Sequence, residues 1–490
     1  MKKQNQRPSN IDKGLVLSGL IWKYLDRTLV QAVQFLVTIL LARILAPDEF
    51  GLLTLVSVFL NIALVFVQHG IGSALIQKET ITEGEFTSVF LFSLLAGGVM
   101  SAVIVVLAPF LCGILGYPSA VPIVRVLAMV LPFAGISNSL ESKFSRNLEF
   151  RKIFAANLSG ALLSAVISIW AAWNGFGIWA LVIQQLVFQL VSSLVLWHLA
   201  GWRLAKAVPF RTIYPLISYG WKILASSLID TVYANLRTLR IGKYYSSAAV
   251  GYYDKGRQFP ALIIANINVT IQSVLFPALS REQTDRKVVK DIVRRTISVS
   301  TYVIFPCMTG LMVVGRPLIR LLLTDKWLPA LPYMQCFCMI YSLWPVSTTN
   351  LQAIKALGRS DIFLKLEIVK KAIGIAIMLF THPMGIRAMM IGGCINAAIA
   401  LFLNAFPNIG LLDYHLRELF SDMLPAFVLS AAMGAGMFFG GRLIHQDLVQ
   451  IVVEVLLGVA LYIVLSMLFR VNSLQYVRGL AREYIQRKKQ

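Results

Sequence analysis

The sequence alternates long apolar runs with short polar segments. No aspartate, glutamate, lysine or arginine lies between Glu49 and Lys78, or between Lys152 and Arg203. Because a helix that crosses a bilayer needs about 20 mostly apolar residues, the first run holds one crossing and the second holds two. Asn174-Gly175 lies in the middle of the second run, where this dipeptide favours a turn. A soluble core helix has no reason to be apolar on all sides over such lengths.

The whole pattern predicts an all-α polytopic membrane protein with about 14 transmembrane helices. The first and seventh are the least regular, because each carries charged residues within its apolar run. An even number of crossings puts both chain ends on one side of the membrane. The helices are expected near residues 18–41, 50–70, 86–112, 119–140, 154–173, 176–199, 212–236, 257–279, 296–323, 331–354, 362–380, 385–407, 423–441 and 447–469.

Lysine and arginine are distributed unevenly over the segments between these helices. The segments at 116–118, 174–175 and 382–383 are short and contain neither residue, whereas the alternate segments and both tails are basic. Cytoplasmic segments are enriched in lysine and arginine, so both termini are expected in the cytoplasm. The polar, basic N-terminus is unlike a cleavable signal peptide. The basic segments are the tails at 1–14 and 471–490 and the loops at 143–152, 203–211, 281–295 and 355–365.

Composition agrees with a membrane protein, because 57% of the 490 residues are hydrophobic and only 14% are charged. A net charge of +22 by itself suggests nucleic-acid binding, but the basic cytoplasmic segments account for it, and no nucleic-acid partner is expected. The chain has no G-x-x-x-x-G-K-[ST], H-E-x-x-H or D-x-D motif, and its five histidines are scattered. We therefore expect no enzymatic activity, no metal site and no cofactor. The five cysteines, all in apolar runs, are interpreted as packing residues.

Short segments recur along the chain and predict two related halves. Residues 41–43 (LAR) and 50–52 (FGL) are echoed 200 positions later by 241–243 (IGK) and 250–252 (VGY). Met129-x-x-Pro132 is echoed more loosely by Trp344-Pro345. Six crossings return the chain to the same side, so the halves would be parallel repeats. The expected organisation is a tail at 1–14, six-helix lobes at 15–205 and 206–410, two added helices at 411–470 and a basic tail at 471–490.

Four segments, in order along the chain, carry a resemblance to a known family. They are LARILAPDEFG at 41–51, GIGSALIQ at 70–77, RNLEFRK at 146–152 and ALGRSD at 356–361. Together they resemble the Wzx-type polysaccharide transporters, in the branch that includes colanic-acid and teichuronic-acid exporters. The resemblance implies the fold of the multidrug/oligosaccharidyl-lipid/polysaccharide exporter superfamily, with two lobes.

The resemblance also implies an activity. Such a protein flips undecaprenyl-pyrophosphate-linked oligosaccharide repeat units across the bacterial inner (cytoplasmic) membrane by alternating access, for exopolysaccharide, capsule or lipopolysaccharide synthesis. Membrane lipids, a polysaccharide polymerase and export machinery are the further partners that it implies.

A flippase of this kind needs a polar and preferably cationic cavity, and ionisable side chains inside crossings usually face such a cavity. Phosphate groups prefer arginine forks and lysine ammonium groups. Asp26 and Asp230 are also the candidates for a protonatable or sodium-linked coupling site, because the chain has no motif for ATP hydrolysis. The cavity candidates are Lys23, Asp26, Arg27, Arg125, Lys222, Asp230, Arg237 and Lys370.

Each candidate also has a purely structural interpretation. Lys23, Asp26 and Arg27 fit equally well in an interfacial helix that precedes a later-starting crossing. Arg125 and Arg237, like Arg240, Arg316 and Arg320, lie near outer ends, where arginine snorkels to the headgroups. Lys370 lies near a cytoplasmic end.

Three other functions remain open from the sequence. A drug/cation antiporter of the same superfamily would need an acidic cavity, whereas the charges expected within these crossings are more basic than acidic. A membrane-embedded glycosyltransferase or polymerase typically needs a large outer loop, and every expected outer loop is short. A lipid II-type flippase is the hardest alternative to separate.

Overall fold

The computed structural model describes residues 13–68, 75, 81–201, 208, 210–442 and 444–471. The chain divides into two compact units, residues 1–251 and 252–490. In the described part of each unit, helices joined by short turns dominate, because lipid tails offer no hydrogen-bond partner to an exposed peptide group. The segment at 70–77 lies outside the described residues except for Leu75, and so do most of both tails.

The first unit begins with a long helical run that a π-turn at Asp26–Val30 interrupts. A 3-10 turn at Pro118–Ala120 precedes its fifth helix. The helices are α1 (Lys13–Leu25), α2 (Gln31–Ile44), α3 (Pro47–Gln68), α4 (Glu83–Leu115), α5 (Val121–Ala128), α6 (Val130–Arg146), α7 (Phe150–Trp173), α8 (Ile178–Ala200) and α9 (Phe210–Tyr244).

The second unit is entered through α10 (Ser247–Arg281), which begins in the first unit. Two 3-10 turns, at Asp325–Ala330 and His382–Met384, join helices of this unit. The remaining helices are α11 (Arg286–Leu323), α12 (Leu331–Ser342), α13 (Trp344–Ala356), α14 (Ser360–Thr381), α15 (Ile386–Ala405), α16 (Pro407–Leu412), α17 (Leu416–Gly441) and α18 (Asp447–Leu468).

Among the described residues, eleven helical segments are long and apolar enough to cross a membrane. Three more segments, α9, the α12–α13 pair and α14, complete the fourteen crossings expected from the sequence. These three are more polar, because α9 and α14 contain several charged residues and α12–α13 contains several hydroxyl and amide side chains. The chain is a multi-pass membrane protein, and the predicted all-α fold class is confirmed.

Each unit buries an apolar core, although many large apolar side chains are exposed, as expected for a surface that faces lipid. In the first unit, side chains of α4, α6, α7 and α8 pack together around Phe86, Leu140, Phe144 and Ile153. In the second unit, α11 and α17 contribute most of the core, with Val293, Ile297, Leu419, Leu429 and Met433 among its members.

Two crossings that the sequence presented as continuous helices are broken. The fourth crossing breaks at Met129, between α5 and α6, and the tenth breaks at Leu343, between α12 and α13. Pro132 and Pro345 lie in the first turn after each break, where proline's missing N–H costs the helix no hydrogen bond. The two breaks explain the loose sequence echo between these segments.

The turns that follow these crossings have the same backbone geometry. Leu148 and Gly358 both have positive φ, at 60° and 74°. The next residue of each turn donates its N–H to a carbonyl five positions earlier, from Glu149 to Phe144 at 2.9 Å and from Arg359 to Ile354 at 3.1 Å. This is the hydrogen bonding of a Schellman-type helix end. Matching turns are expected of two related halves, whereas the lobe boundaries at 15–205 and 206–410 remain predictions.

The starts of α3 and α10 cross at a pair of glycines within the first unit. A Cβ atom on Gly51 would overlap the carbonyl oxygen of Ser247, and a Cβ atom on Gly251 would overlap the carbonyl oxygen of Pro47. The contact is reciprocal, because each carbonyl lies four residues before the opposing glycine. Small residues allow two membrane helices to approach this closely. The recurring Gly51 and Gly251 of the sequence therefore mark one helix crossing.

Alanine at this crossing is expected to destabilise the protein. Gly51→Ala and Gly251→Ala would each force the two backbones apart, at a cost of about 1–3 kcal/mol. Gly98→Ala is the matched control, since a Cβ on Gly98 in α4 meets nothing within 4 Å. Thermal unfolding of the detergent-solubilised protein should give a lower Tm for Gly51→Ala and Gly251→Ala and an unchanged Tm for Gly98→Ala. Equal Tm values for Gly51→Ala and Gly98→Ala would contradict the close contact.

A second stability prediction concerns the turn at Gly358. A Cβ there meets nothing within 4 Å, so only its φ of +74° opposes a larger residue. Gly358→Ala should therefore lower stability by about 1 kcal/mol through backbone strain alone. Gly113→Ala in α4 also adds a Cβ in open space, but without positive φ, and should be neutral or slightly stabilising. The same Tm assay checks both, and a neutral Gly358→Ala would count against the turn geometry.

Candidate functional site

The first crossing carries three of the candidate residues predicted from the sequence, and a π-turn lies among them. A helix that is long and apolar enough to cross a membrane runs over Ile21–Ile44, and Lys23, Asp26 and Arg27 lie in its first two turns. Asp26 and Arg27 belong to the π-turn itself, a feature that often marks functional sites because it distorts the regular helix. Lys23 and Arg27 have exposed side chains, whereas Asp26 is half-buried.

Asp26 faces polar groups on two other helices of the first unit. Asn157 of α7 donates a hydrogen bond from Nδ2 to Asp26 Oδ1 at 3.1 Å. Glu141 of α6, also half-buried, interacts electrostatically with Asp26. Two carboxyl groups that interact inside an apolar region repel each other when both are charged, and a bound proton or small cation relieves that repulsion. This cluster of Asp26, Asn157 and Glu141 is called the acidic cluster below.

Cations and aromatic rings lie on the N-terminal side of Asp26, where the first helix packs against the start of α7. Lys23 Nζ lies 5.5 Å from the centroid of the Phe150 ring, at the start of α7. Arg151 Cζ lies 5.6 Å from the Trp22 ring, which also contacts Phe154 at 5.4 Å between centroids. These contacts fix the first helix against α7, so Lys23 belongs to a helix that packs within the unit.

A second cluster of polar side chains in the first unit lies on α6 and α8. The hydroxyl groups of Ser137 and Ser193 lie 2.8 Å apart, and Gln189 Nε2 donates to Ser137 Oγ at 2.9 Å. Asn138 Nδ2 donates to the carbonyl oxygen of Val67 in α3 at 3.1 Å. Within a membrane such bonds hold helices together, because lipid offers the side chains no partner.

The candidates on α9 are placed differently from one another. Asp230 is exposed, and the side chain of Lys222 lies outside the described residues. Arg237 and Arg240 are partly buried, and the Nε atom of each has no hydrogen-bond partner among the described residues. Arg240 Cζ lies 5.3 Å from the ring of Tyr244. A guanidinium whose Nε is buried and unpaired still has donors to offer an anion.

Arg125 and Lys370 belong to different units. Arg125 is exposed on α5 of the first unit. Lys370 belongs to α14 of the second unit, where its Nζ lies 2.6 Å from Glu367 Oε1, and Lys355 of α13 interacts electrostatically with both. Lys370 is therefore already paired with a carboxylate, so any anion that it binds competes with Glu367.

Of the two arginines near the C-terminal end of α11, Arg320 pairs with acids on other elements. Arg320 pairs with Asp325 at 2.9 Å and with Asp447 at the start of α18 at 3.3 Å. Arg316 is exposed. The Arg320 pairs connect three elements of the second unit, which agrees with the structural interpretation of this residue.

The sequence did not predict the ion-pair network that joins the N-terminal end of α11 to α17. Arg294 makes a bidentate pair with Asp422, at 2.9 and 2.8 Å, and reaches Glu418 at 3.3 Å. Lys290 Nζ lies 2.9 Å from Glu418 Oε2, and Tyr414 donates to Asp422 at 2.9 Å. Burial and the neighbouring Asp422 carboxylate raise the pKa of the Tyr414 hydroxyl, so it stays a donor.

Glu141 and Asn157 were also missed, because neither has a distinguishing local signal. Glu141 follows directly on the predicted fourth crossing, and Asn157 is an isolated amide in an apolar run. An acidic or amide residue in or beside a crossing is the only clue that the sequence offered. Among the described residues, no three histidine, cysteine, aspartate or glutamate side chains come together as a metal site.

Comparison with known proteins gives matches over most of the chain. The lipopolysaccharide biosynthesis protein WzxC of Escherichia coli (strain K12) is 25% identical over 435 residues, which cover 85% of this chain and 87% of WzxC. The succinoglycan biosynthesis transport protein ExoT of Rhizobium meliloti (strain 1021) is 22% identical over 470 residues, which cover 94% of each chain.

A solved structure shows the same fold. The lipid II flippase MurJ, in an inward closed conformation, superposes with a TM-score of 0.74 at 13% sequence identity, covering 92% of this chain and 98% of MurJ. The likeness confirms the predicted transporter fold. A family model described as polysaccharide biosynthesis protein matches residues 40–332, more than half of the sequence, and the chain therefore belongs to that family of polysaccharide biosynthesis proteins.

Proposed function

We propose that the protein flips undecaprenyl-pyrophosphate-linked oligosaccharide repeat units from the cytoplasmic to the outer leaflet of a bacterial inner membrane. It works by alternating access, as a transporter without catalytic activity, and serves the synthesis of an exopolysaccharide, capsule or lipopolysaccharide. Both termini lie in the cytoplasm, and a polysaccharide polymerase with its export machinery takes up the product.

The observation that carries this proposal is the match with ExoT, a named transport protein of polysaccharide biosynthesis, over 94% of both chains. A match of that extent leaves little of the sequence for another activity. The positions of the charges support the same function, because Lys23 and Arg27 belong to the Ile21–Ile44 helix, and cations in a membrane helix usually line a polar pathway.

In this proposal the cationic candidates bind the pyrophosphate. Lys23, Arg27 and Lys222 supply charge from the first and seventh crossings, and Arg237 and Arg240 add guanidinium groups, which match the geometry of phosphate oxygens. Arg125 and Lys370 remain candidates in the same role. Opposite charge on the substrate compensates for the cost of keeping these cations in the membrane.

The acidic cluster is the proposed coupling site. Asp26 would bind a proton or a sodium ion with help from Asn157 and Glu141, and release it on the other side of the membrane. The π-turn supports this role, because a helix that has already departed from regular geometry changes shape at low cost. Asp230 on α9 is the second candidate for coupling.

The transport function predicts the effect of deleting the gene in its own host. We expect loss of the host polymer and accumulation of the lipid-linked repeat unit in the inner leaflet, measured by lipid extraction and by labelling of sugars at the outer face. Reintroduction of the wild-type chain should restore the polymer. Unchanged polymer in the deletion strain, together with rescue of cells depleted of their lipid II flippase, would favour the lipid II alternative. Drug resistance gained in a pump-deficient strain would favour the antiporter.

The acidic cluster predicts a separate effect on energy coupling. In proteoliposomes, Asp26→Asn should abolish the acceleration of flipping by an imposed proton or sodium gradient, because the amide cannot exchange a proton and binds cations poorly. We expect the gradient-dependent rate to fall at least about tenfold, which corresponds to about 1.4 kcal/mol. Asp291→Asn is the control, since Asp291 is an exposed acid in the first turns of α11. Full gradient stimulation in Asp26→Asn would exclude Asp26 from coupling.

A further inference from the structure

A row of aromatic rings in the second unit leads from the core to the surface. The row consists of Tyr253 on α10, Phe337 and Tyr341 on α12, and Trp344 at the start of α13. Centroids of successive rings lie 5.2, 5.6 and 5.2 Å apart, and the last pair, Tyr341 and Trp344, is stacked with planes 28° apart. Tyr253 and Phe337 are buried, Tyr341 is half-buried, and Trp344 is 46% exposed. The inner rings therefore fix the orientation of the outer two.

A charged pair lies beside the aromatic row. Arg257 Nη2 is 3.0 Å from Asp254 Oδ1, one turn apart on α10, with side chains 41% and 28% exposed. Arg257 also interacts electrostatically with Tyr253 and Tyr341. The guanidinium keeps donors, and the carboxylate keeps lone pairs, that this one contact does not use.

The depth of the pair shows what its exposed side faces. Arg257 and Tyr341 each lie ten residues from the start of their helices, Ser247 and Leu331. At 1.5 Å per residue Tyr341 lies about 15 Å along the α12–α13 crossing, and Arg257 interacts with it electrostatically. An ion pair that is partly exposed beside a membrane crossing faces water or a polar ligand more readily than lipid, because contact with hydrocarbon is costly.

The same depth excludes the ordinary explanation for an exposed tryptophan. Tryptophan and tyrosine of the aromatic belt lie at the membrane–water interfaces. Trp344 follows Leu331 by thirteen residues, so it lies about 20 Å along the α12–α13 crossing, well inside the bilayer. Tyr341 and Trp344 accompany the charged pair of α10.

We propose that Trp344 and Tyr341 form a stacking platform for a sugar ring of the lipid-linked substrate, with Arg257 and Asp254 hydrogen-bonding to its hydroxyl groups. A pyranose has an apolar face of C–H groups and a rim of hydroxyls, which matches an aromatic surface bordered by one donor and one acceptor group. The platform rests on the proposed transport function and identifies where the saccharide part of the substrate binds. None of its four residues was among the cationic candidates, which the pyrophosphate occupies.

Binding of two probes to the purified protein in lipid nanodiscs tests the platform. The first probe is the polyprenyl pyrophosphate oligosaccharide extracted from the deletion strain, and the second is the same carrier without sugar. We expect Trp344→Leu to weaken binding of the sugar-bearing probe about tenfold and to leave the sugar-free probe unchanged. Trp344→Phe, which keeps a stacking face, should retain most of the affinity. Trp173→Leu is the matched control, because Trp173 is an exposed tryptophan at the end of α7.

The outcomes separate the platform from the transport function. If Trp344→Leu binds both probes as the wild type does, the platform is wrong and the transport function stands. If the wild-type protein binds neither probe, both proposals fail. Should Trp344→Leu lose both probes through misfolding, Arg257→Gln decides: selective loss of the sugar-bearing probe supports the platform, and unchanged affinity for both overturns it.

Discussion

Every backbone N–H and C=O group inside the bilayer must find its partner within the protein, because lipid tails supply none. The described residues meet this constraint with helices, and their hydroxyl side chains return to the same backbone, as when Thr301 donates to Ile297 at 2.8 Å and Thr87 to Glu83 at 2.8 Å. Where helices break, at Met129 and Leu343, proline follows within the next turn and removes a donor that would otherwise need a partner. The need for internal hydrogen bonds thus decides the fold class and also the positions at which the helices break.

Charged side chains also need partners within the protein, and leaving one unpaired in the membrane costs more than leaving a neutral group unpaired. In the second unit, α11 carries cations near both ends, and acids of the last two helices neutralise one cation at each end: Asp422 and Glu418 pair with Arg294, and Asp447 pairs with Arg320. Such pairs are well satisfied, so they hold α17 and α18 in place rather than offering charge to a ligand. The acidic cluster around Asp26 is different, because its one described hydrogen bond comes from a neutral amide. That contrast separates structural charges from candidate functional ones.

Polar clusters within or beside the membrane crossings thus occur in each unit, but with different chemistry. In the first unit, two carboxyl groups and an amide lie beside a π-turn. In the second, one ion pair borders a stacked tyrosine and tryptophan. The first cluster suits a proton or a small cation, whereas the second suits a sugar ring.

The sequence by itself determined the number of crossings, the fold class and the recurring glycines, because each depends on local composition or on a spacing along one chain segment. It also identified Asp26 as a candidate functional residue, since a charged residue within an apolar run can be recognised without knowing its contacts. Only the tertiary structure decided that Asp26 meets Asn157, 131 residues away, and that Gly51 meets Gly251. It alone showed that Arg320 pairs with an acid of another helix, whereas Arg257 pairs within its own helix and borders an aromatic surface. Hydrophobic periodicity specifies which residues enter the membrane, whereas contacts among them depend on how distant helices pack.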